Sequence, residues 1–110
     1  MSEKIRVLTV DDHPLWCIGI ASVINAQPDM LLVAQASTGR QAIDFFRKHK
    51  PDVTLIELRL PDIGGIEAMI AIRDEFPNAR FIILTSLALL AFWWFKEPGP
   101  DRHNGIELPL

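Results

Sequence analysis

The chain has 110 residues, a formal net charge of −3, 49% apolar and 23% charged residues, and one cysteine, Cys17. That size fits one domain with a real core and little stability to spare. The composition excludes a disordered body, a disulfide framework and a strongly basic nucleic-acid-binding surface, and a reducing cytoplasm is the natural setting.

The N-terminus, Met1 to Arg6, lacks the long apolar segment of a signal peptide. Ile5 to Val10 reads as a strand that closes on Asp11-Asp12-His13-Pro14. Pro14 suits the first position of a helix, with a carboxylate or imidazole before it. Leu15, Trp16, Gly19, Ile20, Val23 and Ile24 recur at helical spacing and predict a stripe facing a sheet, with Cys17 and Ile18 on the opposite face. The helix stops near Gln27-Pro28.

Met30 to Ala36 reads as a second strand. Ser37 and Thr38 can cap a second helix with Ala42, Ile43, Phe45 and Phe46 on its apolar face. Val53 to Glu57 is a central strand ending on a carboxylate, followed by a Pro-Asp-Ile-Gly-Gly turn over 61–65. Ile66, Met69, Ile72 and Phe76 mark a third helix, and Arg80 to Ser86 a fourth strand. The order βαβαβαβ with short links predicts an α/β domain, a parallel sheet with helices on both faces and strands buried on both sides. Leu87 to Phe95 is uncharged and has no decisive period; at nine residues it is far shorter than the roughly 20 needed to span a bilayer. Asp101 to Leu110 is polar and irregular.

Parallel strands share one C-terminal edge, where Asp11, Asp12, Glu57 and Thr85 would gather. Clustered oxygens there suit a hard cation such as Mg²⁺. A carboxylate beside such a cation can be a nucleophile towards a phosphoryl group.

Residues 2–86 resemble the receiver domain of bacterial two-component response regulators, in the subfamily with a LuxR-type helix-turn-helix output domain. The matching blocks are Ile5 to Leu15, Lys50 to Pro61, Gly65 to Ala68 and Ile82 to Ser86. The resemblance implies a flavodoxin-like (CheY-like) fold. It implies Mg²⁺ held by Asp11, Asp12 and the backbone carbonyl of Arg59, Thr85 as the switch hydroxyl, and a histidine kinase as ancestral partner.

Two departures stand out. The family's phosphoacceptor is an aspartate, and Glu57 occupies that position. Its extra methylene pushes the carboxylate about 1.3 Å further into the site, and a misplacement of about 1 Å costs on the order of a hundredfold in rate. Glu57 is therefore expected to be a poor acceptor, either inert or a weak permanent mimic of the phosphorylated state, with Mg²⁺ binding weak or absent. The family also continues into a fifth strand ending in lysine. Lys96 superficially resembles that lysine, but only ten residues separate it from Thr85, too few for a helical crossover with its links.

The expected organisation is a truncated receiver over 1–86, an apolar non-family segment over 87–97 and an irregular tail over 98–110. A shifted reading frame, checked by the nucleotide sequence, or a deletion or fusion would account for it. An unprotected fourth strand predicts a homo-oligomer built through Phe81, Ile83, Leu87, Leu90, Trp93 and Trp94. The leading expectation is a degenerate signalling module, not an enzyme, without direct nucleic-acid or membrane contact and without a DNA-binding domain in this chain. The alternatives are a phosphorylation-independent dimerisation or protein-interaction module and a Mg²⁺-dependent phosphotransfer enzyme.

Overall fold

A computed structural model of the chain describes residues 3–84. Seven elements follow in order: β1 (Ile5–Val10), α1 (Pro14–Asn25), β2 (Met30–Ala36), α2 (Gly39–His49), β3 (Val53–Ile56), α3 (Gly65–Glu75) and β4 (Phe81–Ile83). All strand pairs are parallel, and the sheet order is β2-β1-β3-β4. This is the flavodoxin-like topology expected from the sequence.

The buried cluster around Leu8 lies on one face of this sheet, while Val7 of β1 and Ile24 of α1 are buried outside it. Leu8, Val10 and Ile56 point into it and meet Ala42 and Phe46 of α2 and Ala68 and Ile72 of α3, all buried. Phe46 also stacks at a tilt on Phe76, with ring centroids 5.0 Å apart. Burial on both sides, expected for every strand, does not hold. Residues of the edge strands β2 and β4 are partly open, because each of these strands has one neighbour among the described residues.

The first helix has a different phase from the one its apolar spacing predicts. Trp16, Cys17, Ile20, Ala21 and Ile24 are the residues with reduced exposure. Leu15 is 83% exposed and Val23 61%. Cys17 therefore lies on the sheet side, where its Sγ donates to the Asp11 carbonyl oxygen at 3.3 Å. An almost uniformly apolar helix has little contrast around its circumference, so periodicity fixes its phase poorly. On α3, Ile66 is likewise displaced from the expected core stripe, at 53% exposed, while the smaller Ala68 is fully buried.

Loops are tied to these layers by specific bonds. The Arg6 guanidinium donates to the carbonyls of His49 and Lys50, and Arg6 N donates to Asp52 Oδ2. Thr38 Oγ1 caps α2 by accepting from Gln41 N, and Gln41 Oε1 accepts from Ser37 N, a reciprocal arrangement. Asp62, from the β3–α3 loop, adds a second cap, accepting from Gly39 N at 2.8 Å and Arg40 N at 2.9 Å. Burial alone would raise its carboxyl pKa. The amides of Arg40, Gly39, Ile63 and Asp62 outweigh that and hold it below the usual value. That stabilisation is present above the unfolded carboxyl range and is lost as pH falls through the lowered value.

Gly65 opens α3 against the strand end. A Cβ there would collide with the Glu57 carbonyl oxygen and press on the Leu58 backbone. Gly65→Ala is expected to destabilise the fold by about 1–3 kcal/mol and to displace the Glu57 loop. Urea unfolding measures the first effect, and the amide shifts of Glu57 and Leu58 report the second. An unchanged midpoint with unchanged shifts would contradict this packing.

Candidate functional site

The site forms where β1 and β3 end side by side. Val10 pairs with Ile56, and Glu57 N donates to the Val10 carbonyl at 2.9 Å. Asp11, the residue that follows β1, is thereby brought beside Glu57. Both are buried, at 6% exposure each. Asp11 N donates to the Ala36 carbonyl at 3.0 Å, so β2 fixes the acidic turn from the other side.

His13 occupies the N-cap of α1 but makes no side-chain cap bond. Its ring turns back to the acidic pair instead, with Nδ1 2.7 Å from Asp11 Oδ1 and 3.3 Å from Asp12 Oδ1. Asp11 Oδ1 also accepts from His13 N at 2.9 Å. Asp11, Asp12 and His13 offer ligand atoms that all lie within 4.8 Å of one another. The two carboxylates are hard oxygen donors and suit Mg²⁺; the imidazole is a softer partner that competes with the ion for Asp11.

Glu57 faces its own loop. Its Oε2 accepts from Leu58 N at 3.0 Å and from Arg59 N at 3.3 Å. The carboxylate is thus held by backbone donors one and two residues on. Arg59 is brought to the site through its amide, in the same loop that Asp62 fastens to α2. Phe81 and Ile83 lie on β4, on the same strand as the end of the ladder, where Leu84 N donates to the Ile56 carbonyl at 2.9 Å. Thr85, Leu87, Leu90, Trp93, Trp94 and Lys96 lie outside the described residues. The His13 ring contact and the Asp62 latch are not among the features the sequence pattern predicts. The adjacency Asp-Asp-His was a signal for the first; the second joins residues 23 positions apart and has none.

A sequence model described as "Response regulator receiver domain" matches residues 7–91. The chain belongs to this family. It is 42% identical over 84 residues to an uncharacterized transcriptional regulatory protein of Bacillus subtilis, YxjL, covering 76% of this chain and 38% of that protein. It is 38% identical over 82 residues to the response regulator protein VraR of Staphylococcus aureus, covering 74% of this chain and 39% of that protein. The chain therefore spans well under half the length of either relative. Among solved structures, a LuxR-family two-component response regulator from Aurantimonas superposes with a TM-score of 0.72 at 36% identity, covering 82% of this chain and 68% of that one. The response regulator domain of Thermotoga maritima CheB gives 0.74 at 35% identity, covering 77% and 63%.

Receiver domains interact with histidine kinases and usually bind Mg²⁺ through an acidic cluster; Asp11, Asp12 and His13 are a group that could hold an ion. Among the described residues, no helix is long and apolar enough to cross a membrane.

The hydrogen bond to Asp11, then the charges of Asp11 and Asp12, raise the His13 pKa above its ordinary 6.5. The raised value means that the protonated ring favours the folded state below the unfolded pKa, a contribution lost as pH rises through the folded one. In a nuclear magnetic resonance titration of the ring protons, the His13 midpoint is expected above that of a free histidine and should fall back in Asp11→Asn. A midpoint that Asp11→Asn leaves in place would show that the contact does not hold the ring.

Proposed function

We propose that this chain is a receiver module whose acceptor position is disabled by Glu57, so that it engages its partners without phosphoryl transfer. The observation that supports the reading most is the pair of backbone bonds to Glu57 Oε2. Two amide donors draw electron density from Oε2 and hold the carboxylate against its own loop, which supports a carboxylate that is not presented to an incoming phosphorus. The extra length of the side chain misplaces the carboxylate for attack. This favours the inert form over a phosphorylated-state mimic, because the charge is spent on the loop rather than presented outward.

Asp11 and Asp12 would hold Mg²⁺, with the Arg59 carbonyl as the third protein ligand that the family resemblance implies. The ion would supply neutralisation of phosphoryl charge. The residues themselves set the limits: His13 competes for Asp11, so Mg²⁺ binding is weak. A histidine kinase is the ancestral partner, and the module is not an enzyme. In this reading the receiver covers 1–86, followed by the apolar segment 87–97 and the tail 98–110; the family match itself reaches residue 91.

A second reading is assembly of two copies through β4 without phosphoryl chemistry. Ile82 at 51% and Ile83 at 46% exposure favour it.

Incubation with acetyl phosphate and Mg²⁺, followed by intact-mass measurement, tests the leading reading. No stoichiometric phosphoryl adduct is expected on the wild-type chain. Glu57→Asp should raise the initial rate of adduct formation by on the order of a hundredfold. A stoichiometric adduct on wild-type Glu57 would overturn the reading.

A further inference from the structure

The loop that carries Arg59 runs from the end of β3 to the start of α3. Its base is closed by Gly65 N, which donates to the Leu58 carbonyl at 2.8 Å. Within it, Glu57 Oε2 accepts from Leu58 N and Arg59 N. Its far side lies on the first turn of α2. There Asp62 Oδ1 accepts from Gly39 N and Oδ2 from Arg40 N, with Arg40 Nε 3.9 Å from the same Oδ2. Ile63 completes that contact: a Cβ at Gly39 would collide with the Ile63 side chain and lie 2.8 Å from its carbonyl oxygen.

We infer that Asp62 is a positioning residue for Glu57: its bonds to α2 fix the loop in the shape that turns the Leu58 and Arg59 amides onto the Glu57 carboxylate. The inference rests on the reading above, in which Glu57 is held by its own loop, and names the group that maintains that hold.

Three observations carry it. First, the linkage is short and stiff. Only Leu60 and Pro61 separate Arg59 from Asp62. The Pro61 ring fixes its own φ and disfavours the helical region for Leu60. A displacement of Asp62 therefore passes to Arg59 with few torsions to absorb it.

Second, α2 has a local start of its own. Thr38 Oγ1 accepts from Gln41 N, and Gln41 Oε1 accepts from Ser37 N. Asp62 comes from a separate loop and takes two further amides of the first turn, Gly39 N and Arg40 N. A carboxylate on such amides is a charge-assisted contact aligned with the helix dipole. The loop is thus anchored to a rigid element by a strong contact that the helix does not require to begin.

Third, the same corner holds the other half of the site. The Ala36 carbonyl accepts from Asp11 N, and Glu57 N donates to the Val10 carbonyl. Residues 36–40 therefore touch both the acidic turn and the Glu57 loop. The path from Asp11 through Ala36, Gly39, Asp62, Arg59 and Glu57 to Val10 closes on itself, each step a hydrogen bond or at most three residues of backbone. Asp62 is the link that joins its two halves.

The test uses the labelled full chain, with residue-resolved amide hydrogen exchange and the side-chain carboxyl carbon resonance of Glu57. In Asp62→Ala the Leu58 and Arg59 amides are expected to exchange about tenfold faster, and the Glu57 carboxyl resonance to move towards that of an exposed glutamate. Gly39→Ala, which presses Ile63 off α2 from the helix side, should produce the same two changes. Thr38→Ala removes a cap from α2 without touching the loop and should leave both at their wild-type values. Retained protection of Leu8 and Ile56 shows that each variant is folded, and Gly39→Ala decides the matter where Asp62→Ala does not fold. Folded Asp62→Ala and Gly39→Ala chains with wild-type values at Leu58, Arg59 and Glu57 would overturn the inference. The same changes in Thr38→Ala would also overturn it, because Asp62 would then act only as a helix cap. Glu57→Ala separates this failure from that of the reading beneath it. If removing the carboxylate leaves Leu58 and Arg59 exchange unaltered, both fall. If it speeds them about tenfold while Asp62→Ala does not, only the positioning role falls.

Discussion

The parallel pairing of β1 with β3 is the constraint on which the rest depends. Buried Leu8, Val10 and Ile56 lock this ladder against α2 and α3. Its last bond, from Glu57 N to the Val10 carbonyl, sets the two carboxylate-bearing strand ends side by side. A slip of one residue would reverse the faces of the strand and send Ile56 out of the core, so the core's burial fixes the position of the site. Gly65 and Asp62 extend the same control to the loop. Gly65 lets α3 approach the Glu57 carbonyl, and Asp62 pins the loop to the start of α2.

Within that frame, in the function proposed for this chain, the extra methylene of Glu57 decides the chemistry. Position 57 follows the end of β3, where the family resemblance implies an acceptor. The glutamate side chain then has the reach to accept from the amides of Leu58 and Arg59. A buried carboxylate needs such donors, because an unsatisfied charge at 6% exposure would be costly. In the proposed reading, holding Glu57 against its own loop competes with presenting it to a phosphoryl group. At the acidic turn, His13 Nδ1 lies 2.7 Å from Asp11 Oδ1, an oxygen that a cation would use in the proposed reading. Cys17, tucked under that turn, is no substitute nucleophile: burial, then Asp11 and Asp12, raise its thiol pKa and disfavour the thiolate.

Much of this was legible in the sequence because it depends on short-range pattern. Alternating apolar runs ended by Asp11 and Glu57, the breaks at Pro28, Pro51 and Pro77, and the Thr38 cap all act within a few residues. They sufficed for element order, sheet direction and the grouping of the acidic residues. What escaped depends on orientation or distance along the chain. The phase of α1 is hidden because Leu15, Trp16, Cys17, Ile18 and Ile20 are all apolar, so only packing distinguishes them. The Asp62 latch crosses from one loop to another. The rotamer of Glu57 is set by amides that exist as open donors only once the loop has formed.

The central claim is that the Glu57 carboxylate is bound to its own loop and does not open to a phosphoryl group. Titration of the labelled chain with Mg²⁺ and beryllofluoride, a phosphoryl mimic, tests it through the Leu58 and Arg59 amide resonances. Both are expected to stay in place while the Asp12 and His13 amides respond at most weakly to Mg²⁺. A saturable displacement of the Leu58 and Arg59 amides by beryllofluoride, absent with Mg²⁺ alone, would contradict it.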